Sequence, residues 1–483
     1  MLSSPSPDIR NIAMARYNAS SLSAVVDLFF KAGAARGRDL TRDFRAALAE
    51  NADLALRLAL WARDVRGGAG ERKHFRDWLG SLARGSAHTG DHKQAMQLAL
   101  RTPEVGRWDD LLVLIDTPLE VFAAELIGAA LAEGNGLCAK WMPRKGEVAS
   151  KLRRLLGMTP KGYRKTLVNL SETVEQLMCA GKWDEIEFRK VPSVAFSRYA
   201  RAFTRRVPEK FTGFVEKVEK GEQKINASAI FPVDVIASLR RAVDGGAHAF
   251  YNKNRPIAET TPVRAACEQW KALPDFMDPS ARALVIADTS GSMFNPEING
   301  ATPMDVAVSL AMYMSERASG PFKDAFITFS TRPKLQVLKG TLLERIQQLY
   351  TAEWAGSTDL GAAFDLILNA AKAARLPESE MPSVIFVVSD MAFNGAVRAP
   401  RDYDHVRKMY REAGYEMPTV VFWNVRDSGN KPVSILDKNT ALVSGYSPAV
   451  AKSVFSCKDI DPLALVLHTI GSSRYDLPEI EAA

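Results

Sequence analysis

Near residue 281 the hydrophobic rhythm of the chain changes period, and this change limits the possible fold more than any other feature. After it, short apolar runs alternate with amphipathic segments. They read "ARALVIA", "MDVAVSLAMYMSERAS", "DAFITFS", "KLQVL", "LLERIQQLY", "DLGAAFDLILNAAKAA", "SVIFVVS", "YDHVRKMYREAGY", "PTVVFWNV" and "TALVSG", closed by "SPAVAKSVF" and "DPLALVLHTI". Near-continuous apolar strands separated by helices predict a mostly parallel, α/β doubly wound sheet covered on both faces. Before the change, the pattern is helical from about residue 22 to 270, with little strand-like alternation. "SSLSAVVDLFFKAGAAR" opens on serines, "LTRDFRAALAENADLALRLALWARDV" spaces its apolar residues at helical intervals, and "PLEVFAAELIGAALAEG" runs from proline to glycine. A succession of such helices predicts an all-α, HEAT-like helical repeat, although no exact repeated motif is present. The expected division is therefore a helical domain over 1–275 and an α/β domain over 276–483. A chain of 483 residues is also longer than one hydrophobic core usually serves.

Charge follows the same division. The net charge of +7 is the sum of an excess of ten positive charges over residues 1–280 and three net negative charges over 281–483. A basic half beside a mildly acidic one suggests different partners for the two, with a polyanion for the first. Four cysteines lie far apart with no CxxC pair, which speaks against a disulfide framework or a zinc site. The first residues lack a signal-peptide layout and no apolar run is long enough to span a membrane, so a cytoplasmic protein without a membrane partner is expected.

Ligands of doubly wound sheets bind beyond the carboxyl ends of the strands. Three polar clusters are expected there: "DTSGS" after the first strand, "GSTD" opening a helix, and "SDMAF" after "VIFVV". An aspartic protease would need two Asp-Thr/Ser-Gly turns in an all-β fold; here a serine precedes Gly291 and no second copy exists. A phosphate loop would need a lysine that "SGSM" lacks, and a nucleophile elbow would need a second glycine after Ser292. No histidine lies in the three clusters to activate a serine. A hard-cation site fits the residue types. Asp288, Ser290 and Ser292 alternate along one loop, while Thr358 and Asp390 come from the other two. Two carboxylates balance a doubly charged ion, and hydroxyls and water complete the oxygen ligands that Mg²⁺, or Mn²⁺ or Ca²⁺, requires. The plain alternative is a polar turn in which the serines cap the next helix.

Two basic stretches stand out in the helical half. Arg63, Arg66, Arg72, Lys73 and Arg76 surround the turn "RDVRGGAGERKHFR", either as a rim for phosphates or as charges paired to Asp64, Glu71 and Asp77. Between residues 140 and 165, Lys140, Arg144, Lys145, Lys151, Arg153, Arg154, Lys161, Arg164 and Lys165 face only Glu147, with Trp141 and Tyr163 interleaved as candidate stacking residues. Neutralised phosphates are the main source of nucleic-acid affinity. The same stretch can equally be a solvated face, and "RYARAFTRR" adds another basic helix of that kind.

The pattern DxSxS, then a loop threonine, then a loop aspartate resembles the von Willebrand factor A domain. That resemblance implies a metal-ion-dependent adhesion site at Asp288, Ser290, Ser292, Thr358 and Asp390. "TPMDVAVSLAMYMSE", "WAGSTDL", "VSDMAFNGA" and "VSGYSPAV", with "CAKWMPRKG", "YRKTLVNL" and "VPSVAFSRYARAF" in the helical half, resemble a domain-of-unknown-function family of plants, fungi, bacteria and phages. A more distant likeness, in "LALRLALWARD" and "IFPVDVIASLRR", is to the Ro proteins and their TROVE module. Those proteins join a helical-repeat ring to an A domain and bind misfolded and structured small RNAs.

The resemblance thus implies a non-enzymatic, Ro-like RNA-binding scaffold. The candidate RNA contacts are Arg66, Arg72, Lys73, Lys140, Arg144, Lys145, Lys151, Arg153, Arg154, Lys161, Arg164 and Lys165. The competing expectation is a metal-dependent protein–protein interaction module without RNA binding, in which the ion grips an acidic residue of a partner. A hydrolase is disfavoured by the want of a base or a second metal cluster. A monomer is expected.

Overall fold

The computed structural model describes residues 20–480, apart from 172, 245, 253, 289, 295–300, 330–332, 353–359, 392–402, 427–431 and 458–459. A mostly helical N-terminal region is followed by a six-stranded mixed sheet with helices. The change of element type falls where the sequence rhythm changes. Compactness divides the chain differently, into residues up to 36 with 192–469, and residues 37–191 with 470–483.

In the first unit the strands are β1 (Ala283–Asp288), β2 (Ala325–Phe329), β3 (Leu335–Val337), β4 (Val384–Ser389), β5 (Thr419–Asn424) and β6 (Thr440–Ser444). Their order across the sheet is β3-β2-β1-β4-β5-β6. All neighbours are parallel except β2 and β3, which pair antiparallel at one edge. Every described residue of β1, β4 and β6 is buried, as an apolar run without alternation requires. The short "LQV" of β3 is half-buried to exposed, which suits an edge strand.

The helix Pro303–Arg317 explains why helices outside the expected α/β domain join this unit. Its residues from Pro303 to Ser315 are all buried, so no side of it faces water. It packs on β1, β2 and β4 and also on the helix Pro232–Ala242. Its N-terminus is closed by reciprocal bonds between Thr302 and Asp305, and Asp305 also receives Tyr350 Oη and Arg240 Nη1, the latter at 2.5 Å. Burial and the Asp305 charge push the Tyr350 phenol well above its usual range, so it stays a donor. Further fastenings run from Trp270 Nε1 to Glu316 (2.9 Å) and from the Gln347 amide to the carbonyls of Ala249, Asn252 and Arg255 at 2.9–3.1 Å.

The helix Ala24–Ala32 belongs here as well. Ser23 caps it, as its serine-rich start predicts. It meets β6, where Ser444 Oγ donates to the Phe29 carbonyl (2.9 Å) and Gly33 N–H donates to Ser444 Oγ (3.0 Å). Asn424 Nδ2 reaches the Phe30 carbonyl at 3.3 Å. A Cβ on Gly33 would lie 2.6 Å from both Gly445 Cα and Ser444 O, so glycine is required by close approach of two backbones.

The second unit is helical among its described residues. "LTRDFRAALAENADLALRLALWARDV" breaks into two helices, Thr41–Glu50 and Ala52–Arg63, because Asn51 is extended and caps the second with its side chain. The C-terminal tail packs on these helices. Arg474 pairs with Asp64, Tyr475 Oη reaches Asp64 Oδ2 at 3.2 Å, and Arg57 pairs with Asp476 at 2.8 Å. Gly68 sits against the Trp61 carbonyl, where a Cβ would lie 1.9 Å from the oxygen.

Gly33→Ala is expected to destabilise the protein by about 1–3 kcal/mol, because two backbones must separate to admit one methyl. Gly37→Ala in the neighbouring turn, where a Cβ meets nothing within 4 Å, is expected to lose only the smaller strain of its positive φ. Urea unfolding followed by circular dichroism ranks the two, and a smaller loss for Gly33→Ala contradicts the packing argument.

Candidate functional site

The strand order places a topological switch point between β1 and β4, since the chain winds one way from β1 to β3 and the other from β4 to β6. Asp288 ends β1 and Asp390 follows the last residue of β4. Parallel register sets Ala287 beside Val388, so both carboxylates leave the sheet at the same edge. Each residue is 1% exposed.

The surroundings of Asp288 are polar by construction. Ser389 Oγ donates to its Oδ2 at 2.6 Å, and the Ser290 N–H donates to its Oδ1 at 2.9 Å. Burial pushes the Asp288 carboxyl up to about 6; the Ser389 bond opposes that rise, and the neighbouring Asp390 charge adds to it. Ser290 and Ser292 approach each other at 3.0 Å between hydroxyls, in a turn whose next residue, Met293, is fully buried as an anchor. The turn is closed by the Met293 N–H on the Ser290 carbonyl and overlaps a short 3₁₀ segment, Gly291–Phe294. On the other loop Met391 holds a positive φ of 59°, with its N–H on Ser389 Oγ at 3.0 Å. Left-handed backbone at a residue other than glycine costs about 1–3 kcal/mol and concentrates at functional loops.

Asp288, Ser290, Ser292 and Asp390 thus gather at the switch point. Thr358 lies outside the described residues. Among the described residues, no group of three or more His, Cys, Asp or Glu side chains is gathered that could hold a metal ion, so any ion here depends on hydroxyl and water ligands beside the two carboxylates. Two buried carboxylates with hydroxyls at one spot match the oxygen donor set of a hard cation. Sequence reasoning missed two members of the cluster. Ser389 was visible only as the residue before Asp390. Arg426, in "WNVR", donates from Nη1 to the Ser292 carbonyl at 2.9 Å and lies 3.7 Å from Asp390 Oδ2.

The basic residues separate into paired and unpaired groups. Arg72 reaches Asp109 (2.8 Å) and Asp110 (3.6 Å), and Lys73 reaches Asp77 (2.5 Å). Arg63 and Arg76 also converge on the fully buried Asp110, each at 2.7 Å. The "WDD" motif of Trp108–Asp110, not the acids nearest in sequence, therefore neutralises most of this turn, and Arg66 is its exposed remainder. Further along, Lys151 pairs with Asp116 (2.5 Å) and Glu147 (3.0 Å). Arg144 donates to Ser171 Oγ at 2.9 Å and Arg153 to the Met158 carbonyl at 2.8 Å. Lys140 lies 5.5 Å from the Trp141 ring centroid, with Arg107 over the same ring at 3.9 Å. Tyr163 is buried, and its hydroxyl is held by the Pro143 carbonyl at 3.0 Å, so the expectation that it stacks on a base is corrected.

Lys145, Arg154, Lys161, Arg164 and Lys165 are exposed, and none has an ion pair among the described residues. Three of them share the helix Pro160–Leu170, whose positions 161, 164, 165 and 168 form one exposed face while Tyr163 and Leu167 form the buried one.

Two family models match consecutive stretches of the chain. One, described as a domain of unknown function (DUF2828), covers residues 123–281, and the other, described as a domain of unknown function (DUF7788), covers 282–464. Their junction lies immediately before β1. The chain is 26% identical over 522 residues to the uncharacterized protein L728 of Acanthamoeba polyphaga mimivirus, covering 94% of this chain and 85% of that protein. The solved structure of the Ro (RSR) protein of Deinococcus radiodurans aligns over 94% of this chain and 100% of its own, with a TM-score of 0.46 and 15% identity.

Asp288→Asn is expected to leave the metal-free melting temperature unchanged or raised, because burial already disfavours that charge. The same change is expected to abolish any rise in melting temperature on adding Mn²⁺. Differential scanning fluorimetry with EDTA and with Mn²⁺ reads both, and a Mn²⁺ shift retained in the variant removes Asp288 from the ligand set.

Proposed function

We propose that the protein is a non-enzymatic, cytoplasmic RNA-binding scaffold whose helical region contacts RNA and whose α/β region carries a divalent-cation site for a protein partner. The observation that carries the RNA reading is that Lys145, Arg154, Lys161, Arg164 and Lys165 are exposed without carboxylate partners among the described residues, the last three on one face of the helix Pro160–Leu170. Neighbouring cations on one helix face repel one another, and a phosphate backbone relieves that repulsion while releasing its counter-ions. Arg72, Lys73 and Lys151 already have acidic partners and contribute less. Val168, 49% exposed on the same face, offers an apolar contact for a base or sugar where Tyr163 does not.

For the cation site, the DxSxS loop at a topological switch point favours the von Willebrand factor A reading. Asp288, Ser290, Ser292 and Asp390 would hold the ion, with Thr358 as the remaining member of the expected set. Mg²⁺ is the expected ion, and it would supply an open coordination position for an acidic side chain of a partner. Among the described residues, Asp288 accepts hydrogen bonds from Ser290 and Ser389, neither of which is a general base. This supports a binding role over hydrolysis.

Reversing Lys161, Arg164 and Lys165 to glutamate is expected to weaken binding of a labelled single-stranded RNA and to reduce the salt slope of log K by about 2, since each lost phosphate contact removes about 0.7. Fluorescence anisotropy across a salt series measures both quantities. An unchanged slope in the triple variant rules out this face, and salt-insensitive binding by the unmodified protein rules out the RNA reading altogether.

A further inference from the structure

The turn after β5 carries a charge that the cation-site reading leaves unused. Arg426 grows from a fixed root. Its own N–H donates to Asn424 Oδ1 at 3.1 Å, and the preceding Val425 N–H donates to the Ser389 carbonyl at 3.1 Å. Ser389 and Asn424 are register partners in β4 and β5, so this root stands beside the residue preceding Asp390. From it the guanidinium extends to the Ser292 carbonyl at 2.9 Å and to within 3.7 Å of Asp390 Oδ2. One side chain thereby joins the loop after β1 to the loop after β4. The 3.7 Å separation is an ion-pair contact and too long for a hydrogen bond. The arginine side chain is 37% exposed and that of Asp390 is 1% exposed, so the positive charge lies on the solvent side of a buried carboxylate.

We propose that Arg426 is a tethered counter-ion of the Asp288–Asp390 pair that competes with a divalent cation and leaves Asp390 when the ion binds. This rests on the cation-site reading above. A guanidinium does not lose its proton in a protein, so its repulsion of an incoming cation is removed only by movement. Repulsion between charges a few ångströms apart is strong at the edge of a protein. The exposed side of Arg426 gives it a path into water. The same movement breaks its bond to the Ser292 carbonyl, so entry of the ion frees the β5 turn from the β1 loop. A monovalent ion brings no more charge than the arginine and gains nothing by displacing it, whereas a divalent ion does. Arg426 therefore acts as a specificity-determining residue for a doubly charged cation.

The test is Mn²⁺ binding to the full chain, read from the electron paramagnetic resonance signal of free Mn²⁺. The proteins compared are the unmodified chain, R426Q, R426M, R426K and D288N. R426Q is expected to bind Mn²⁺ roughly tenfold more tightly than the unmodified chain, and R426K, which keeps the charge, to stay nearer to it. R426M keeps the apolar stem and replaces R426Q as the decisive variant should the glutamine protein not fold, as judged by circular dichroism. Equal or weaker binding in the neutral variants overturns the competition. If D288N abolishes binding while R426Q leaves it unchanged, only this inference fails. If no protein binds Mn²⁺, the cation-site reading fails and takes the inference with it.

Discussion

Parallel pairing of β1 with both β2 and β4 is the constraint from which the candidate site follows. A central strand buried at all six positions tolerates a charge only at its end, where the backbone leaves the sheet. Asp288 occupies that end, and the register with β4 delivers Ser389 and Asp390 to the same place. Because the sheet is wound in opposite directions from these two strands, the switch point falls between them at the carboxyl edge, where ligands of such sheets bind. The Ser389 hydroxyl and the Ser290 amide then both donate to the acid. Its raised pKa follows from burial first, with the neighbouring Asp390 charge adding to it.

The α/β part of the fold was legible because its signal is local. Uninterrupted apolar runs such as "VIFVV" have few ways to be satisfied other than a buried parallel strand. The members of the site that ended strands were legible for the same reason, since strand ends define the binding edge. Arg426 was not legible, because its place depends on β5 lying beside β4, and no local pattern states which strands are neighbours. Ser389 was visible as the first residue of the cluster "SDMAF", but its role was not, because a hydroxyl at a strand end gives no sign of its partner until the neighbouring strand is known. The break at Asn51 was concealed by apolar spacing that continues in phase across it, although asparagine's preference for helix caps pointed to it.

Net charge proved a coarse guide to the surface. The turn around Gly67–Gly70 and the stretch from 140 to 165 are both dense in arginine and lysine. In the first, the fold brings Asp109 and Asp110 to Arg63, Arg72 and Arg76, and most of the positive charge is spent internally. The acids that do this are more than thirty residues away in sequence and could not be paired by inspection. In the second, Asp116 and Glu147 both pair with Lys151, and neither pairs with another cation of the stretch among the described residues. The cations on the helix Pro160–Leu170 have no acid within their own helix, and none arrives from elsewhere among the described residues. The difference between these two basic stretches lies in tertiary delivery of carboxylates and not in cation count.

The boundary between the two halves obeys a different logic from the change of secondary structure. A helix such as Pro303–Arg317, apolar on every side, cannot end its packing at one sheet face; its outer side needs a second apolar layer. The helix Pro232–Ala242 supplies that layer with Val235, Ile236 and Leu239 buried. Once that contact exists, the polar groups at its margin must be satisfied in place. Asp305 meets this demand by taking bonds from Thr302, Tyr350 and Arg240 together. A buried carboxylate so held is costly to leave with a missing donor, which adds a polar tie between the helix bearing Arg240 and the helix on the sheet. The all-round apolar character of "MDVAVSLAMYMSERAS" therefore already required that some helices preceding β1 belong with the sheet, even though their secondary structure assigns them to the helical region.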